Sequence, residues 1–166
     1  MSPIEMLIDA WAGNLNHALA LLKDIPAGRM THQPASVVNH PAWTIAHLCH
    51  YHPAILSLAR GEPVSDPGKL PDAPQVDAGS APTDEPAAYL SKDELIARFR
   101  EGHEQIEETL RAAPDDLLDR PPGLERWRPA FPRTGQALTY LMLLHESTHL
   151  GELAAWRRAA GYEALE

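Results

Sequence analysis

Apolar residues recur at steps of three and four along four stretches of the chain, a spacing typical of amphipathic α-helices with one inward face. Turn-forming residues separate these stretches. No stretch shows the clear alternation of apolar and polar residues that is typical of a strand. The predicted helices run from Ile4 to Ile25, from Pro41 to near Gly61, from Ser91 to Pro114, and from about Thr134 to Ala160. The pattern therefore predicts an all-α chain with four helices.

Local signals mark the ends of these helices and one irregularity. Pro41 fits the first turn of the second helix, where its missing N–H leaves no hydrogen bond unmade. Pro53 lies inside the same helix, and we expect it to kink or divide that helix. The segment Ser91–Glu94 fits a capping box at the start of the third helix, and Gly161 fits the left-handed position after the last one.

The segment 62–90 differs in composition from the rest of the chain. Pro, Asp, Gly, Ser and Ala dominate it, and its six prolines disfavour a regular element. A loop of this length in a compact domain is usually functional or mobile, and we expect it to lie over the functional site. The sequence therefore predicts a four-helix bundle in a single domain, residues 1–166, with this loop as the long crossover between helices two and three.

Charge and composition narrow the classes of function. With a formal charge of -9, the 166-residue chain lacks the basic surface that binding to nucleic acid or an anionic membrane requires. No apolar run reaches the roughly 18 residues of a membrane-spanning helix, and the N-terminus has no basic lead-in typical of a secretory signal. Cys49 is the only cysteine, which excludes an internal disulfide and makes a cytoplasmic location the expectation.

Two of the nine histidines, His145 and His149, form an HExxH motif in the last predicted helix. Residues four apart share one helix face, so both imidazoles can reach the same ion. Both also fall on the inward stripe, where unpaired imidazoles are costly and a shared metal would satisfy them. His47 lies on the inward stripe of the second helix, and the cores of bundles build metal sites from facing helices.

The HExxH motif also occurs in zinc peptidases, but the surrounding sequence argues against that class. A metzincin has a third histidine downstream, and none follows His149. Too few residues remain for the separate helix from which a gluzincin takes a glutamate. Glu152 points in the wrong direction on its helix to be a third ligand of the same ion. His47 is therefore the best-placed third ligand, which predicts a divalent-metal site at His47, His145 and His149.

The remaining histidines and the cysteine are weaker candidates. His103 lies on the inward stripe of the third helix. Three roles stay open for it: a fourth ligand, a group that contacts a ligand from behind, or a packed core histidine. His50 and His52 fall off the stripe of the second helix, so we expect them to face solvent. Cys49 is expected to be a small buried apolar residue and not a nucleophile. Three histidines lie near predicted helix or loop surfaces and carry no signal: His17, His32 and His40.

Two motifs together resemble those of DinB/YfiT-like proteins. The first is Pro41–Leu48 (PAWTIAHL), in which a Trp precedes a His-Leu pair, and the second is His145–Leu153 (HESTHLGEL), followed by Arg157 and Arg158. The resemblance implies a four-helix bundle with a long crossover, a divalent-metal site at the three histidines and frequent homodimers. It also implies metal-dependent chemistry on low-molecular-weight thiols such as bacillithiol or mycothiol. Glu152 departs from the family pattern, in which a Gln is common at this position.

These observations favour a metal-dependent enzyme that acts on a small molecule, with zinc, nickel or iron as cations that suit imidazole ligands. The metal would activate a thiol or a water. Glu146, next to His145, is a candidate catalytic base or a group that orients a ligand. The alternatives are a metal-dependent hydrolase and a non-catalytic protein that binds metal or a small ligand. Closure of the site by His103 would favour the non-catalytic protein.

Overall fold

The chain folds into four helices in the computed structural model, which describes residues 1–34, 39–64 and 74–165. The first three helices are α1 (Pro3–Leu22), α2 (Pro41–Arg60) and α3 (Lys92–Arg111). The last helix is continuous and has three parts, α4 (Thr134–Thr139), a π-helical turn (Tyr140–His145) and α5 (Glu146–Ala159). No strand occurs in the described ranges, which confirms the all-α prediction.

The helix ends follow the local signals in the sequence. The Ser91 hydroxyl accepts a hydrogen bond from the Glu94 N–H, and the Glu94 carboxylate accepts one from the Ser91 N–H at 2.9 Å. This is the predicted capping box. Gly161 has a φ of 85°, as predicted for the position after the last helix, and glycine adopts this angle without strain. Pro53 was expected to kink or divide α2, and it does not divide it, because the helix runs unbroken from Pro41 to Arg60.

The apolar core consists of two clusters, one towards each end of the bundle. α1 and the last helix begin in the first cluster, around Leu7 and Leu138, and end in the second, around Leu22 and Leu153. α2 and α3 run the other way, so these two neighbouring helices are parallel. Parallel neighbours require a connection that returns along the bundle, which is why the long crossover lies between them.

The described part of the crossover contains two short 3₁₀ turns, Pro74–Val76 and Pro86–Ala88, in a segment predicted to have no regular element. The portion 65–73 of the predicted loop lies outside the described residues. Throughout the described ranges, none of the helices has both the length and the apolar character needed to cross a membrane.

A polar layer lies between the two apolar clusters, at the level where the four helices meet. Burying polar groups in this way is costly unless each finds a partner. A buried polar layer of this kind is therefore the expected place of a functional site. Its members are Asn14 from α1, His47 and His52 from α2, His103 from α3, and His145, Glu146 and His149 from the last helix.

Candidate metal centre

Three imidazoles converge at one side of this polar layer. His47 comes from the middle of α2, His145 ends the π-helical turn, and His149 follows one turn later on α5. One ring nitrogen from each lies within 4.8 Å of the other two, close enough to hold a single metal ion. The Nε2 atoms of His47 and His145 are 3.3 Å apart. The structure thus brings together the three histidines that the sequence singled out.

The His47 ring is oriented by its helix and by the crossover. Its Nδ1–H donates a hydrogen bond to the Val76 carbonyl oxygen at 2.6 Å, which assigns the tautomer and leaves a lone pair on Nε2. Trp43 stacks on the same ring, with centroids 4.5 Å apart and planes 11° from parallel. The Trp43 indole N–H donates to the Gln75 carbonyl oxygen at 2.9 Å. The crossover therefore lies against the site, as predicted.

A carboxylate orients the His149 ring. Its Nδ1–H donates to Glu152 Oε2 at 2.8 Å, so Nε2 is left to accept. Asn39 donates its side-chain N–H to the same carboxylate oxygen at 2.9 Å. Glu152 thus binds the side of the His149 ring that faces away from the cluster, in agreement with the prediction that it is poorly directed to be a ligand itself. Asn39 carried no signal in the sequence that could have revealed this role.

The electrostatics of the site favour neutral imidazoles. Burial lowers the pKa of His47 to about 4, although its hydrogen bond to Val76 acts in the opposite direction. Burial lowers the pKa of His145 to about 3, and the neighbouring His149 and His47 add to the effect. Neutral imidazole is the form that binds metals. The single N–H of His145 can donate to the Nε2 lone pair of His47 or of His149, but not to both. A divalent cation accepts a lone pair from all three rings.

The centre is enclosed on the His47 side and open on the other. His47 is 2% exposed, whereas His145 and His149 are partly exposed. A cleft of about 260 Å³ borders His145, and its walls include Tyr51, Arg126, Trp127, Phe131 and Tyr140. Catalytic metal sites keep an open position in this way, while structural sites are closed by protein ligands.

Glu146, the candidate catalytic residue, lies on a different face of the last helix from the three histidines. Successive residues of a helix point about 100° apart, and the side chain of Glu146 accordingly reaches His103, with Oε2 to Nε2 at 3.3 Å. Among the described residues, no carboxylate oxygen belongs to the three-histidine group. Burial raises the pKa of Glu146 to about 8, although the side chains of Trp11 and Asn14 act in the opposite direction.

The sequence placed three other histidines wrongly. His50 and His52 were expected to face solvent, but they are 6% and 7% exposed. α2 packs against α3, the last helix and the crossover, so residues off its inward stripe are covered too. His40, expected near a surface, is fully buried; its Nδ1 accepts from the Trp43 N–H at the start of α2. His103, a possible fourth ligand, lies instead in a separate cluster with His52 and Glu146.

Cys49 is a buried thiol, as predicted. It is 3% exposed, and burial raises the pKa of this thiol to about 12. A thiol that stays protonated at neutral pH is a poor nucleophile. Any sulfur chemistry at the three histidines would therefore need a thiol from outside the chain.

The fold and the site together define a helical bundle whose polar layer has a histidine cluster suited to a divalent metal. The family profile of the DinB superfamily matches residues 10–153, and the chain belongs to that superfamily. A solved structure of a Streptococcus pneumoniae protein has the same fold, with a TM-score of 0.71 at 15% identity. The match covers 96% of this chain and 92% of that one. No curated protein matches the chain.

Proposed function

We propose that the protein is a metal-dependent transferase that joins a low-molecular-weight thiol to a small electrophile. The observation that carries the proposal is the convergence of three imidazoles beside an open cleft. The resemblance of the two histidine motifs to thiol-using DinB-like proteins supports the choice of substrate. Zinc, nickel or iron would be the metal, and a homodimer in the cytoplasm would be its working state.

In this proposal His47, His145 and His149 hold the metal, while Val76 and Glu152 keep two of the rings aligned. A divalent cation supplies Lewis acidity, which favours the deprotonated form of a thiol at neutral pH. Because imidazole is a neutral ligand, the metal would keep its full positive charge. That charge would attract an anionic sulfur. His47 is tied to the crossover through Val76, so the crossover and the metal site are held in one arrangement.

The cleft beside His145 would bind the electrophile. The aromatic rings of Trp127, Phe131 and Tyr140 lie within contact distance of one another along this wall, with centroids 6.0 Å and 5.1 Å apart for successive pairs. Such a wall suits a small planar apolar group, and about 260 Å³ limits the substrate to modest size. With a haloarene, the sulfur–carbon bond forms as the carbon–halogen bond breaks, and the thiol proton and halide leave to solvent.

The position of the carboxylates favours transfer over hydrolysis. A hydrolase of this kind needs a general base that reaches a water at the metal. Glu146 contacts His103 on another face of the helix, and Glu152 is engaged by His149 and Asn39. A thiol does not need such a base, because its own acidity brings it close to deprotonation near neutral pH.

The test compares metal-loaded and stripped protein that was purified without a nickel column. Each is assayed with bacillithiol, mycothiol, glutathione and simple thiols against a haloarene and an epoxide. We expect the loaded protein to accelerate conjugation, the stripped protein to lose this activity, and His149→Ala to lose it also. The exposed His17→Ala variant is the control and should keep it. Conjugation at the background rate with every thiol would overturn the proposal, and ester hydrolysis measured in parallel would identify a hydrolase.

A further inference from the structure

A second cluster of ligand-type side chains lies deeper in the polar layer. It consists of His52 from α2, His103 from α3 and Glu146, the first residue of α5. One ligand atom from each lies within 4.8 Å of the other two. The three side chains are 7%, 3% and 2% exposed, so they are more deeply buried as a group than the three-histidine site.

Each of these three side chains has a buried polar atom without a hydrogen-bond partner in the described part of the chain: His52 Nε2, His103 Nε2 and Glu146 Oε1. Although His103 Nε2 lies 3.3 Å from Glu146 Oε2, the pair does not have the alignment of a hydrogen bond. Buried polar atoms are nearly always paired, and three unpaired ones on neighbouring side chains call for a missing partner, because the nearby Trp11 N–H, itself unpaired, can donate to only one of them. That partner has to satisfy two imidazole nitrogens and a carboxylate together.

The surrounding residues hold the cluster in place. A Cβ atom at position 102 would lie 1.7 Å from Nδ1 of His52, so glycine at this position leaves room for the ring. Trp11 stacks on His103 with centroids 3.7 Å apart and planes 16° from parallel. A cleft of about 240 Å³ between α2 and α3 is lined by His52, Gly102 and Glu101, so it reaches the His52 ring of the cluster.

We propose that His52, His103 and Glu146 form a second divalent-metal site, separate from the three-histidine site. Two imidazoles and one carboxylate are a ligand set that zinc and iron(II) accept. A cation would neutralise the carboxylate and take a lone pair from each imidazole, so one ion removes the burial cost of all three groups. Because helices α2, α3 and α5 each supply one ligand, the bound ion would tie these helices together in the centre of the bundle.

Metal counting tests this site without reference to catalysis. Protein stripped with a chelator is titrated with zinc, and the bound ion is counted by elemental analysis after gel filtration. We expect the wild type to bind two ions per chain, Glu146→Gln one, His149→Ala one, and the double variant none. Glu146→Gln keeps the volume of the side chain, so loss of an ion would not reflect a cavity. Glu104→Gln, an exposed change on α3, should keep both ions.

Cobalt(II) and Gly102→Ala provide independent readouts. In His149→Ala, cobalt should give visible absorption from the remaining site, and Glu146→Gln in that background should abolish it. Gly102→Ala keeps all three ligands but displaces His52, so we expect the second ion to bind about tenfold or more weakly while the first is unaffected. A Glu146→Gln variant that binds as many ions as the wild type would overturn the site. If the three-histidine site alone is wrong, His149→Ala will leave the metal content unchanged while Glu146→Gln lowers it.

Discussion

Nδ1 of His149 lies 2.8 Å from Oε2 of Glu152, three residues further along the same helix. The same oxygen accepts a hydrogen bond from Asn39, so the carboxylate is held from two sides. A carboxylate behind a ligand histidine fixes the ring and makes its other nitrogen a better donor to the metal.

Replacing Glu152 should weaken metal binding at the three histidines. We expect Glu152→Ala to lower zinc affinity about 10- to 100-fold, because the His149 ring loses its anchor and part of its basicity. Glu152→Gln should have a smaller effect, since an amide oxygen still accepts from Nδ1–H but lacks the charge. A competition titration with a chromophoric chelator measures both. Unchanged affinity in Glu152→Ala would show that Glu152 does not orient the ligand.

The three proposed ligands should each be required for the ion. His47→Ala, His145→Ala and His149→Ala should each cost one bound ion per chain, because two imidazoles alone hold a divalent cation far less tightly. His17→Ala, which changes an exposed histidine of α1, should cost none. Elemental analysis of the purified variants decides the matter. Full metal content in His47→Ala would show that the three-histidine site is wrong.

His40 should contribute to the pH dependence of stability. Its Nδ1 accepts from the Trp43 N–H at 3.1 Å, and its Nε2–H donates to the Thr83 carbonyl oxygen at 2.7 Å. Burial lowers the pKa of His40 in the folded chain. The unfolded chain therefore takes up the proton first, so the stability present above a pH of about 6.5 is lost as the pH falls below it.

His40→Asn separates this contribution from that of the other histidines. Asparagine keeps an acceptor at the N-cap of α2 but does not titrate, so the loss of stability between pH 7.5 and 5 should be smaller than in the wild type. His40→Ala should cost about 1–2 kcal/mol at neutral pH through loss of the cap. Urea unfolding in the presence of a chelator measures both effects. An identical pH dependence in His40→Asn would exclude His40 as a source.

Removing metal should lower the melting temperature without unfolding the chain. An ion that binds only the folded state stabilises it by about 2.7 kcal/mol when present at a hundred times its dissociation constant. The two apolar clusters remain when the ion leaves, so the helices should persist. Circular dichroism melts with zinc and with a chelator provide the comparison. Equal melting temperatures would indicate that no metal binds the folded state preferentially.

Gly123 should be intolerant of any side chain. A Cβ at this position would lie 2.1 Å from the Glu62 carbonyl oxygen, so the backbone at one of the two positions would have to shift. We expect Gly123→Ala to destabilise the fold by about 2 kcal/mol or more. Gly28→Ala is a matched control, because a Cβ there has no neighbour within 4 Å. Equal denaturant midpoints for the two variants would contradict the prediction.

The features that depend on local sequence were predictable, and those that depend on several helices were not. The capping box at Ser91 and the shared face of His145 and His149 follow from residues a few positions apart. His52 is buried because α3 passes so close to it that a glycine is needed at position 102. The sequence of α2 alone contains no information about this contact. Glu146 likewise faces a side chain of another helix, His103, and the direction in which Glu146 points depends on the π-helical turn just before it.

The π-helical turn at Tyr140–His145 divides the last helix into two halves whose angular offset is fixed by a single extra residue. Losing one residue from this turn would rotate the chain beyond it by about 100° relative to the chain before it. Leu138 would keep its place in the first apolar cluster, while Glu146 and His149 would swing away from both histidine clusters. The local geometry of one helical turn thus determines whether side chains of α2 and α3 can share an ion with the last helix.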